Sequence, residues 1–114
     1  MNPVPRLAAL LAFLTLPAAA QDTDAPACEV TARSGIIRIA VCDRPGSDAQ
    51  LADFGRAACE GARPCGVWFW TSAAAAPREA PTNHDGLTKE QVTASQGVFV
   101  AEQDMFVRIE EIAR

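Results

Sequence analysis

Four cysteines, Cys28, Cys42, Cys59 and Cys65, restrict the folds open to this chain more than any other feature. Whether they are bridged depends on where the chain goes, and its opening reads as an address. Arg6 supplies a positive start, Leu7–Leu16 (LAALLAFLTL) an apolar stretch, and Ala18 and Ala20 the small residues that signal peptidase needs ahead of Gln21. As a helix that stretch would be about 15 Å long, too short for a bilayer core of roughly 30 Å. Residues 1–20 therefore read as a cleaved secretory signal, leaving no stable membrane anchor and placing the product in the periplasm or outside the cell. Residues 21–27 (QDTDAPA) read as a flexible lead-in, and residues 28–114 as a single small domain.

Export carries all four thiols into an oxidising compartment. A domain of this size buries only about 60–65% of its unfolded surface, so covalent help matters. Four cysteines allow three pairings. The local one, Cys28–Cys42 with Cys59–Cys65, is preferred because Cys28 and Cys42 are equidistant from Gly35, the centre of a hairpin in CEVTARSGIIRIAVC. In the chain-entropy model loops of about 15 and 7 residues contribute roughly 3 and 2 kcal/mol. The gaps Cys-x13-Cys and Cys-x5-Cys do not fit the short spacing of zinc sites, and no Cys-x-x-Cys redox pair occurs. No metal or other cofactor is expected.

After the turn DRPG, Ser47 and Gln50 form a capping-box pattern, and Leu51, Phe54 and Ala58 share a face at helical spacing, predicting a helix over 48–60 with a stop at Gly61. In the next segment, CGVWFWT, Cys65, Val67 and Phe69 point one way, Trp68 and Trp70 the other. With both faces apolar this is an interior strand. Strand, helix, strand implies a right-handed crossover, so 36–42 and 65–71 should run parallel. A Pro-containing loop follows, then Thr88 and Gln91 as a second capping box, with Leu87 and Val92 as a staple, starting a helix over about 89–96. The tail fits either a hairpin turning at Gln103-Asp104 or a helix to about 103 and one last strand. The predicted fold is α+β in two layers: a mixed sheet of four or five strands, two helices mainly on one face, and two disulfides.

Chemistry is harder to find. Cleavage removes Arg6, leaving 9 of the 10 Lys and Arg against 14 Asp and Glu, and the basic residues are scattered, which argues against nucleic acid. The single histidine, His84, sits among turn formers beside Asp85 and has no second histidine to join it as a ligand. Trp68 and Trp70 fit either the core or a stacking platform for a glycan, a peptide or another flat ligand, with Pro77 and Arg78 of the adjoining loop completing the site.

From Cys59 onward the chain is similar to small exported bacterial proteins of no assigned function. The resemblance rests on a cysteine ending a helix, then C-x-V-x-F-W (Cys65, Val67, Phe69, Trp70), a Pro-containing loop and a T-x-x-Q helix start (Thr88, Gln91). It implies a free-standing exported domain and no particular activity. The leading expectation is a non-enzymatic module binding a protein, peptide or glycan in the envelope. Competing with it are a small hydrolase with dispersed carboxylates such as Asp85 and Glu102, and a protease inhibitor presenting loop 72–82.

Overall fold

The computed structural model describes residues 24–112; the expected signal, residues 1–20, and the first lead-in residues lie outside them. Five strands form one sheet in chain order: β1 (Cys28–Ser34), β2 (Ile37–Cys42), β3 (Gly66–Trp70), β4 (Gly97–Val100) and β5 (Met105–Arg108). Only β2 and β3 are parallel, pairing Ile37 with Gly66 and Val41 with Trp70; every other junction is antiparallel. That parallel junction is the one that needs a crossover, and helix α1 (Asp48–Cys59) supplies it.

Local chemistry accounts for the element ends. Gly35 opens the first turn with φ +55°, a conformation that suits glycine, and a side chain there would also meet the Thr82 carbonyl oxygen at 3.0 Å. Helix α1 starts at the predicted capping box: Gln50 N donates to Ser47 Oγ at 3.1 Å and Ser47 N to Gln50 Oε1 at 3.0 Å. Its end turns left-handed at Glu60, φ 53°, one residue before the expected Gly61. Thr88 and Gln91 form the second box at the head of α2 (Lys89–Ala94). The tail is the hairpin β4–β5, with left-handed Asp104 in its turn, followed by a one-turn helix α3 (Ile109–Ile112) that sequence periodicity did not suggest.

Both bridges form in the local pairing, Cys28–Cys42 and Cys59–Cys65, and no described cysteine is free. The lead-in is tied down where described. Arg44 Nη2 donates to the carbonyls of Asp24 and Ala25, and Ala27 N donates to Asp43 Oδ1 at 2.8 Å.

The alternation of β3 divides the core. Val67 and Phe69 join Ala40, Leu51 and Phe99 under α1, whereas Trp68 and Trp70 join Ile37, Ile39 and Val98 on the opposite face. The expectation of two helices mainly on one face needs correction here. Helix α1 alone covers its face. The other is covered by the segment between β3 and α2, through Ala75, Ala76, Ala80 and Leu87, with Val92 of α2 and Ile112 of α3 packed against the same cluster. The reason is steric: the small side chains of Ala75, Ala76 and Ala80 let the backbone lie flat against two indoles without a helix between.

Candidate functional site

The two tryptophans cannot serve as a platform. Trp68 is 5% exposed and Trp70 fully buried, their ring centroids 6.5 Å apart within the core. Each indole N–H has an acceptor: Trp70 Nε1 donates to the Gln91 carbonyl and Trp68 Nε1 to His84 Nδ1, both at 2.9 Å. An unpaired buried donor would cost about 1–3 kcal/mol, so these bonds orient the rings as well as satisfy them. Neither ring has a face left for a ligand.

His84 thereby acquires a structural partner. It opens a 3₁₀ turn, His84–Gly86, held by Asn83 accepting from Asp85 N. Its ring lies over Gly66, where a Cβ would fall 2.5 Å from Cε1, so the glycine is what admits the imidazole. The Nδ1 lone pair is engaged by the indole N–H and is therefore not open to take a proton from a substrate. Nearby, Glu102 Oε1 accepts from Cys65 N at 3.1 Å. That bond, then the carboxylate's own backbone N–H, and then His84 and Arg63 hold Glu102 below its ordinary value of 4.5. A carboxylate kept ionised this way caps a strand end and is a poor general acid. Asp85 is exposed on the turn.

Pro77 and Arg78 fare differently. They form one wall of a groove of about 240 Å³, with Ala73 and Ala76 beside them and Thr31 and Val41 opposite. Strand β1 is a sheet edge with a register shift between Val30 and Ala32. This bulge sets Thr31 toward the groove alongside Val41, the re-aiming that bulges perform beside sites. Arg78 is exposed and makes no hydrogen bond or ion pair among the described residues. Sequence reasoning found the loop wall but not the strand wall, because Thr31 falls at a regular polar position of the alternating run CEVTARS and nothing there marks the bulge.

A cavity of about 290 Å³ lies between the end of α1 and the β4–β5 turn, near Cys59, Arg63 and Phe99. Its Arg56 is already engaged, donating to Asp104 at 2.6 Å and Asp53 at 2.7 Å, and the Asp104 hydrogen bond raises its pKa. The groove has Arg78 unpaired, whereas of the two arginines lining this cavity Arg56 is paired and only Arg63 makes no ion pair among the described residues. Among the described residues no group of three His, Cys, Asp or Glu is placed to hold a metal, and no helix is long and apolar enough to cross a membrane. Compared with known protein families, curated proteins and solved structures, the chain matches none.

Proposed function

We propose that this chain is an exported, non-enzymatic binding module of the periplasm or secreted space that holds an extended peptide segment of another envelope protein. The observation that carries this reading is the groove between β1 and the loop after β3, walled by Thr31, Val41, Ala73, Ala76, Pro77 and the unpaired Arg78. Its apolar floor suits a small side chain, and Arg78 suits a neighbouring carboxylate. Export rests on the expected signal and is consistent with the two disulfides.

With both indoles buried, support moves from a glycan toward a peptide. The inhibitor reading weakens too. Ala75, Ala76 and Ala80 pack into the core on both sides of Arg78, so the loop lies flat rather than projecting into a protease cleft. The hydrolase reading lacks a base at His84.

The test is panning of a displayed random-peptide library against the oxidised domain. Enriched peptides should share a carboxylate beside a small apolar residue. Thr31→Trp, which fills the groove, and Arg78→Glu, which reverses its charge, should each weaken binding about tenfold while leaving the thermal melt unchanged. No enrichment, or enriched peptides that bind both variants as well as the parent, would overturn the proposal.

A further inference from the structure

Strand β1 borders the groove but is poorly made to add another strand there. An extended peptide gains affinity on a sheet edge from main-chain hydrogen bonds that recur along the strand. The extra residue at Thr31 breaks that recurrence in the middle of Cys28–Ser34, leaving three residues on either side of the bulge. What the groove holds must therefore be recognised by the side chains of its walls.

Those walls carry two underused donors. Arg78 is exposed and makes no hydrogen bond or ion pair among the described residues. On the opposite wall Thr31, also exposed, reaches the Ile39 carbonyl only at 3.5 Å, whereas a hydroxyl donor usually sits about 2.7–2.8 Å from its acceptor. No acidic residue lines the groove. A carboxylate has the two oxygens to engage both donors. The remaining lining, Val41, Ala73, Ala76 and Pro77, suits a small apolar side chain next to it.

Size decides which carboxylate. The groove's 240 Å³ equals about eight waters at roughly 30 Å³ each. That is room for one small residue and the carbonyl before it. An internal aspartate or glutamate sets its carboxylate one or two methylenes from the backbone, and its chain must both enter and leave. A chain end carries carboxylate and side chain on the same carbon and enters once.

Resting on the peptide-binding reading above, we propose that the groove captures the free carboxyl end of another envelope protein whose last residue is alanine or valine. Arg78 and Thr31 Oγ1 hold the terminal carboxylate, and the last side chain lies on Val41, Ala73 and Ala76.

The oxidised domain is titrated with three acetylated peptides of the same upstream sequence, read from the amide signals of Thr31, Ala73 and Ala76. One ends in Gly-Ala with a free carboxylate, the second in Gly-Ala carboxamide, and the third carries an internal Asp-Ala pair and a carboxamide end. The free acid should bind saturably and each of the others at least about tenfold more weakly, the loss expected for a charge-assisted hydrogen bond. Arg78→Gln should cost the free acid about tenfold and the carboxamide nothing, and Thr31→Val should cost the free acid severalfold, both with an unchanged thermal melt. Either carboxamide peptide binding as tightly as the free acid overturns this inference while leaving the groove a peptide site. Undiminished binding of the free acid by Arg78→Gln overturns it as well. So does failure of all three peptides to bind, and the library panning then decides the broader reading by itself.

Discussion

Gly55 lies in the middle of α1, where alanine would ordinarily stabilise a helix by about 1 kcal/mol. Here the packing opposes the propensity. A Cβ at this position would lie 2.5 Å from Phe99 Cγ and 2.6 Å from both its Cβ and Cδ2, whereas carbon atoms rest about 3.5–4.0 Å apart. Turning the Phe99 ring would not help, because its own Cβ, fixed by the backbone of β4, is among the atoms struck. The helix itself must lift by about 1 Å, loosening the contacts of fully buried Leu51 with the sheet. Overpacking of this kind costs about 3 kcal/mol at the upper end of its usual range. Set against the gain in propensity, Gly55→Ala should lose about 2 kcal/mol, or about 8–16 °C in Tm for a domain this small. Thermal melts by circular dichroism measure the loss. A peptide spanning 47–61 with the same substitution should be more helical than its parent, separating the local gain from the packing cost. A full-length variant melting as high as the parent would refute the reasoning.

Two further outcomes follow from burial and charge. The sulfurs of Cys59 and Cys65 belong to residues 3% and 1% exposed, whereas Cys28 is half-buried, so a water-soluble phosphine should open Cys28–Cys42 first. Timed alkylation and mass spectrometry would show the order, and simultaneous opening would contradict it. Glu102 has a folded pKa held below 4.5, chiefly by the Cys65 N–H, so its contribution is complete above about pH 4.5 and is lost as pH falls through the depressed value. Glu102→Gln should therefore melt below the parent at neutral pH, with the gap closing in acid; a gap that stayed constant would show that the carboxylate's charge plays no part.

Much of this architecture could be read from short stretches because its determinants are local. Ser47 with Gln50 and Thr88 with Gln91 specify helix starts within three residues, and the cysteine pairs close loops with separations of 14 and 6. The alternation of Val67, Trp68, Phe69 and Trp70 separates the two faces of β3 without reference to anything distant. What escaped was set by partners far along the chain. The second face depends on where the chain goes after Trp70, and the alanines that flatten this route resemble a weak helical turn when read alone. The partner of the Trp68 indole lies sixteen residues away at His84, with Gly66 making room for it.

Both covalent links, helix α1 and the only parallel junction lie before Thr71; nothing after it is cross-linked. The molecule is thus restrained unevenly, tethered at its amino-terminal side and held by non-covalent contacts at the other. Fluctuations that release β4 and β5 would leave a bridged remnant intact and uncover the flank of β3. That flank is apolar on both faces and would offer bare amides to any strand nearby, so the carboxyl-terminal hairpin also acts as the guard that prevents two such molecules from exchanging strands.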